Sequence, residues 1–408
     1  MGSISTPKIV HEGENDVAKY VVVCSPSLSK TMGALHPAGA LYEGPVNLER
    51  AEEAHQNFVD LLRRRDIRVE DVRDVLGRNI DRDMRARVKL EQLAAQFLTY
   101  EYEPSPGEED NSDGGFYVGD AYKKSVLEIM SKDQLVDIIM TRPTVTVKKS
   151  PRDTGFIADY RFKPLSNIMF ARDQQVTTAK GIVIARLSSP QRQKEVEVMQ
   201  FVFDKLGVPV IGKIPEPGHL EGGDFIPASR DLCFVGVGAR TDVAAVQYMM
   251  EKDLFGTRKV AVVYDRFEAA QDRMHLDTVF NIIDSKVVVM LKDMIGSESP
   301  TRRTVDEYTL GSDQVYKKSN SDIEFSEYVR SQGYEIVEIT GKDQLKYGCN
   351  VLNLGKGDII SIEKHSARQI AQSEKFTGII EYLDFSGVTS MYGGVHCASQ
   401  VIQREPTF

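Results

Sequence analysis

The sequence predicts an α/β fold, on three observations. From Thr144 onward, short apolar runs alternate with amphipathic stretches of helical spacing. The N-terminal part reads strand, loop, helix, strand, the order of a parallel crossover. The composition is 41% hydrophobic and 27% charged over 408 residues, enough apolar material for a sizeable core.

The elements follow in order. Residues 19–25 (KYVVVCS) form a β-branched run that predicts a strand. Residues 47–65 place Leu48, Ala51, Phe58, Val59 and Leu62 on one helical stripe, and 68–72 return as a strand. The rhythm then breaks. Ile80, Met84, Val88, Leu93 and Phe97 keep helical spacing, an acidic Gly/Pro-rich loop fills 101–115, and 121–130 and 133–140 are helical again. The stretch 74–142 is therefore expected to be a helical insertion within one catalytic domain spanning 1–408. Beyond it, strands are expected at 181–187, 208–212, 232–237, 260–264, 285–291, 335–339 and 359–362. Helices are expected at 193–206, 242–254, 322–332 and 367–372. Neither a G-x-G-x-x-G nor a G-x-x-x-x-G-K-[ST] loop occurs, so no nucleotide cofactor is expected.

Lys plus Arg number 51 and Asp plus Glu 60, a net charge of −9. That balance argues against general nucleic-acid binding, which rests on clustered cations, and suits capture of a small cation. No apolar run reaches the roughly 18 residues of a membrane span, and the first residues lack a secretory pattern, so a cytoplasmic location is expected. Homo-oligomerisation is left open. The four cysteines contain no C-x-x-C pair, which argues against a disulfide framework or a Cys-rich zinc site. Cys24 and Cys233 lie in strand-like apolar runs and read as buried, inert thiols. Cys397, in GGVHC, differs.

Charged residues cluster where apolar runs end: NIMFARD, HLEGGD, RMHLDTVF and GGVHC. Taken singly, each reads as turn or core. Taken together, Asp173, Glu221, His275, Asp277 and Cys397 are the parts of a cysteine-nucleophile site for a guanidinium. Carboxylates match the planar fork of a guanidinium with charge-assisted hydrogen bonds, and a bound cation beside a histidine favours the thiolate. If 275–277 is a strand, His275 and Asp277 share one face. His219, Glu221, His275 and Asp277 could instead ligate a metal, but their spacing matches no compact zinc or calcium pattern, so no metal is expected.

These four motifs resemble the arginine deiminases of the guanidine-modifying (pentein) superfamily, over most of the chain from Tyr20. The resemblance implies a five-bladed α/β propeller of pseudo-fivefold symmetry with a central site and a helical insertion. It implies Cys397 as nucleophile, His275 as general acid/base with Glu221 beside it, and Asp173 and Asp277 gripping the guanidinium. It further implies that Asn167 contacts substrate and that Arg192 and Arg240 hold its carboxylate. One departure stands out: Tyr392 occupies the place where the family usually has a third, loop-borne arginine. Tyrosine donates one hydrogen bond and cannot neutralise a carboxylate. The leading expectation is hydrolysis of arginine to citrulline and ammonia. Two alternatives stand beside it. One is an arginine-recognising transferase or synthase, which would transfer the amidino group to an amine or take an arginine with a masked carboxylate, such as peptidyl-arginine or arginyl-tRNA. The other is a non-catalytic arginine sensor.

Overall fold

The computed structural model describes residues 11–104, 112–150, 152 and 155–407. Of the acidic loop expected at 101–115, residues 105–111 lie outside the described residues; its first three residues end a strand, Thr99–Glu103, and its last four open a helix, Ser112–Val118, instead of continuing the loop.

Among the described residues, five units share one topology: an antiparallel strand pair, a helix, and a third strand parallel to the second. The first unit joins the two ends of the chain. Gln400–Glu405 runs antiparallel to Val17–Val23, the helix Leu48–Arg64 follows, and Arg68–Asp71 pairs parallel with Val17–Val23. The second comprises Gln175–Thr178, Gly181–Ile184, the helix Glu195–Leu206 and Val210–Lys213. The third comprises Phe225–Ser229, Leu232–Val237, the helix Val243–Glu251 and Lys259–Tyr264. The fourth comprises Phe280–Asp284, Val287–Leu291, the helix Phe325–Ser331 and Glu335–Ile339. The fifth comprises Leu352–Gly355, Asp358–Ser361, the helix Lys364–Ala371 and Ile380–Tyr382.

The middle strand of a unit lies between two partners and is covered on both faces, so it needs unbroken apolar sequence. Gly181–Ile184 (GIVI) and Val287–Leu291 (VVVML) are buried at every position. The first helix starts where Asn47 accepts the Arg50 N–H at 3.0 Å. It turns Ala51, Ala54, Phe58 and Leu62 inward. Phe58 meets Phe385 edge-on, ring centres 5.7 Å apart; its loss would cost roughly 3–5 kcal/mol.

Three elements depart from the sequence expectations. Thr304–Leu310 and Tyr316–Glu324 form an added hairpin on the edge of the third unit's sheet. The outer strand reads YKKSNSDIE and is largely exposed, so it carries no apolar alternation to reveal it. The helix expected from 322 begins at Phe325, because Glu324 is spent as its cap, accepting the Ser326 and Glu327 N–H groups. Between Arg68–Asp71 and Gln175–Thr178 the chain forms helices including Met84–Phe97 and Lys132–Thr141, as expected. It also forms a separate sheet in which Pro143–Lys149 pairs with Thr99–Glu103 and Phe156–Phe162, outside the repeating units. No helix among the described residues is long and apolar enough to cross a membrane.

Candidate active site

In each unit, the segment just ahead of the first strand carries polar residues. Asp173 precedes Gln175–Thr178, Glu221 and Asp224 precede Phe225–Ser229, and His275 and Asp277 precede Phe280–Asp284. Asn350 precedes Leu352–Gly355, and Cys397 precedes Gln400–Glu405. Hydrogen bonds link these five segments into a closed ring. The Arg172 N–H donates to the Cys397 carbonyl at 3.1 Å, and the Gly222 N–H to the Asp173 carbonyl at 3.1 Å. The Leu276 N–H donates to Asp224 Oδ1 at 2.9 Å, Asn350 Nδ2 to the Asp277 carbonyl at 3.2 Å, and the His396 N–H to Asn350 Oδ1 at 3.1 Å. Buried loops need such partners, because an unpaired backbone group away from water is costly. The approach is close: a Cβ on Gly222 would collide with the Arg172 and Gln175 carbonyls. This explains the glycine in EGGD.

Residues 275–277 are not a strand. His275 caps a short 3₁₀ turn, Leu276–Thr278, and Leu276 is buried. The turn still delivers both polar neighbours to one site. His275 Nε2 donates to Glu221 Oε2 at 2.8 Å, and its Nδ1 stands 3.7 Å from Asp173 Oδ1. Glu221 Oε1 accepts the Ser188 backbone N–H at 2.9 Å and its hydroxyl at 3.0 Å. Asp277 Oδ2 accepts His396 Nδ1–H at 2.8 Å and faces Cys397 Sγ at 3.6 Å. Asp173 Oδ1 and Asp277 Oδ1 are buried without a hydrogen-bond partner among the described residues.

The electrostatics are one-sided. Burial disfavours a charged imidazole at His275, but Asp173 and Glu221 outweigh it and raise the ring to about 10. Burial likewise opposes ionisation of Glu221, and the His275 hydrogen bond overturns it, holding the carboxyl down to about 2. Asp277 is held below its ordinary value against burial by His396. The Cys397 thiol is pushed well up by burial and then by Asp277 and Asp173. These directions favour a neutral thiol at Cys397, an imidazolium at His275 and ionised carboxylates at Glu221 and Asp277.

The substrate-contacting expectations fare differently. Asn167 is buried and donates from Nδ2 to the Ala40 carbonyl at 2.9 Å. Arg192, implied as a carboxylate holder, is buried and turned inward. Its Nη1 donates to Asp173 Oδ2 at 2.9 Å and its Nη2 to Glu195 Oε2 at 2.9 Å. It braces Asp173. Arg240 donates to Gln271 Oε1 at 2.9 Å and to Ser188 Oγ at 3.4 Å. Tyr392 is half-buried at φ +62°.

Sequence reasoning missed Asn350, His396 and Arg172. A signal existed for Asn350: it stands shortly before a strand, in phase with the other four segments, but that phase becomes visible only once the units are known. Asp173, Glu221 and His275 present ligand atoms within 4.8 Å of one another, as a metal site would. His275 Nε2 is already hydrogen-bonded to Glu221 Oε2 at 2.8 Å, which leaves its Nδ1, facing Asp173, as the ring atom a cation could meet.

A family model described as arginine deiminase matches residues 39–404. The chain is 26% identical to the arginine deiminase of Halobacterium salinarum over 324 residues, 60% of this chain and 65% of that protein. It is 25% identical over 397 residues to the arginine deiminase of Streptococcus equi subsp. zooepidemicus (strain H70), 90% of each chain. Among solved structures it is similar to the DDAH of Pseudomonas aeruginosa, a mutant complexed with citrulline. There the TM-score is 0.54 at 14% identity, over 95% of this chain and 99% of that one. It is also similar to SxtG, an amidinotransferase from Microseira wollei, with a TM-score of 0.55 at 12% identity over 98% of both chains. The α/β fold is therefore of the pentein kind.

Proposed function

The chain belongs to the arginine deiminase family, and from that premise we propose that it hydrolyses the guanidinium of arginine to citrulline and ammonia through a covalent intermediate on Cys397. One observation carries the reading: two buried carboxylates each keep an oxygen, Asp173 Oδ1 and Asp277 Oδ1, with no hydrogen-bond partner, and Asp277 also faces the Cys397 sulfur. Leaving buried acceptors unpaired is costly, and a guanidinium is planar, cationic and rich in donors.

The mechanism follows from the charges. In the empty site the thiol is neutral; a bound guanidinium offsets the Asp173 and Asp277 charges that suppress its ionisation, and the thiol proton leaves through Asp277. The thiolate attacks the guanidinium carbon, giving a neutral tetrahedral adduct. His275, already an imidazolium, gives its proton to the departing nitrogen, and ammonia leaves. A cationic S-alkylthiouronium remains. Neutral His275 then takes a proton from water as the hydroxide adds to the same carbon. The C–S bond breaks, the hydroxyl proton is released, and citrulline departs as the thiolate re-forms. Glu221 holds the His275 ring, and Arg192 holds Asp173.

The five units are read as blades around a pseudo-fivefold axis, with the hydrogen-bonded ring at its centre. The chain is read as one catalytic domain over 1–408, with 74–142 a helical insertion within it. Incubation with free arginine and colorimetric detection of citrulline tests the activity. A protein with reactive Cys397 that yields no citrulline would overturn it.

A further inference from the structure

We propose that Asn350 is a catalytic residue of this site, donating a hydrogen bond to the nucleophilic sulfur; this rests on Cys397 being the nucleophile. Asn350 is fully buried. Its Nδ2 lies 3.2 Å from Cys397 Sγ and 3.2 Å from the Asp277 carbonyl. Its Oδ1 accepts the His396 N–H at 3.1 Å and the Cys397 N–H at 3.4 Å. The two donors and two acceptors of the carboxamide are thus all engaged. The two backbone N–H groups fix the oxygen side, so the NH₂ side must face the sulfur.

The loop is shaped around this contact. A Cβ on Gly394 would collide with the Asn350 carboxamide. The second glycine of GGVHC thereby has a physical reason: it lets the nucleophile's loop lie directly on Asn350.

A neutral donor suits this position better than a cation. Asp277 Oδ2 already stands 3.6 Å from the sulfur, and charge from Asp277 and Asp173 suppresses thiolate formation. The N–H of Asn350 opposes that pressure without forming an ion pair that would hold the sulfur back from the substrate. The sulfur is charged twice in a turnover, before attack and when citrulline leaves, and the same N–H meets it both times. The site acts as a donor hole for sulfur, by the logic of a donor aimed at developing oxyanion charge.

The test uses full-length protein and two readouts. The first is the rate of Cys397 alkylation by iodoacetamide against pH, without substrate. The second is kcat and KM for arginine. Asn350→Asp keeps the shape and the acceptor side but replaces the donor with an oxygen, and Asn350→Ala removes both. Loss of a hydrogen bond to a charged group is expected to lower thiolate population about 10- to 100-fold at a given pH. The alkylation profile should therefore move up by about one to two pH units, with kcat falling and KM nearly unchanged. Asn350→Asp should be the more severe, because it adds a negative charge beside the sulfur. A merely structural role would lower melting temperature in Asn350→Ala and leave the alkylation profile of folded Asn350→Asp in place; that result overturns the inference. Cys397→Ser in parallel separates the two readings. Turnover surviving in Cys397→Ser removes the nucleophile itself, whereas wild-type alkylation in both Asn350 variants removes only Asn350.

Discussion

The two ends of the candidate site are built by different rules. At the guanidinium end, Asp173, Glu221, His275, Asp277, Asn350 and Cys397 are all buried, and the segments bearing them are hydrogen-bonded into a ring. At the mouth, the end proposed to meet the substrate's carboxylate, Tyr392 is half-buried, and burial, then Glu43 and Asp272, push its phenol above the ordinary range. Arg240 has only neutral hydrogen-bond partners there, and Arg192 is committed inward. Where a link of the ring is a side chain, as at Asp224 and Asn350, its removal orphans a buried backbone partner. Tyr392 and Arg240 supply none of the five links of that ring. The reacting groups thus sit on linked, buried segments, and the groups proposed for the substrate's far end sit outside those links.

The comparison is most directly broken at its centre. Cys397→Ser should abolish turnover, by more than about a hundredfold, with melting behaviour preserved; residual activity above that level in a citrulline assay would remove covalent catalysis. Asp173→Ala and Asp277→Ala come next. Each breaks a buried charge pair, worth roughly 3–5 kcal/mol, so steady-state kinetics should show losses of two to three orders of magnitude at roughly 1.4 kcal/mol per decade. Near-normal kinetics in either would mean that the substrate is not gripped there.

The mouth should respond less. Tyr392→Arg supplies a charged contact worth roughly 1.5–3 kcal/mol, so KM for free arginine should fall about 10- to 100-fold with kcat little changed. Side-by-side kinetics on arginine, its methyl ester and its amide sharpen this. Tight binding of free arginine by the wild type, with both masked forms rejected, would show that Tyr392 has not relaxed carboxylate recognition.

The smallest expected effect is on stability. Raised to about 10 from 6.5, His275 contributes stability that is full below pH 6.5 and lost as pH rises through about 10. Lowered to about 2 from 4.5, Glu221 contributes stability that is full above pH 4.5 and lost as pH falls through about 2. The pair should therefore stabilise most between pH 4.5 and 6.5. Melting temperatures of wild type and Glu221→Gln should differ most in that window and converge outside it. A difference independent of pH would mean that the pair is not ionic.

Much of this site is legible in the sequence, because its chemistry is written in residue types that strands and cores do not otherwise use: a carboxylate beside paired glycines, a histidine two residues from an aspartate, a cysteine after Gly-Gly. Strand runs such as Leu232–Val237 and Val287–Leu291 are equally plain, since burial on both faces demands apolar sequence. Periodicity failed at His275–Asp277, where a 3₁₀ turn imitates the alternation of a strand. It failed again at Tyr316–Glu324, a strand too exposed to need apolar residues.

What the sequence determined by itself is therefore the inventory: which groups can attack, donate and accept, and which runs must be buried. What only the tertiary structure decided is who meets whom. Arg192 reads as a surface residue at a helix start until Asp173 and Glu195 are seen to enclose it. Asn350 is an ordinary asparagine until it lies 3.2 Å from Cys397 Sγ, 47 residues away along the chain. Hydrogen bonds and ion pairs act over about 3 Å in space, and no local pattern records which distant segments the packing of five units will bring that close.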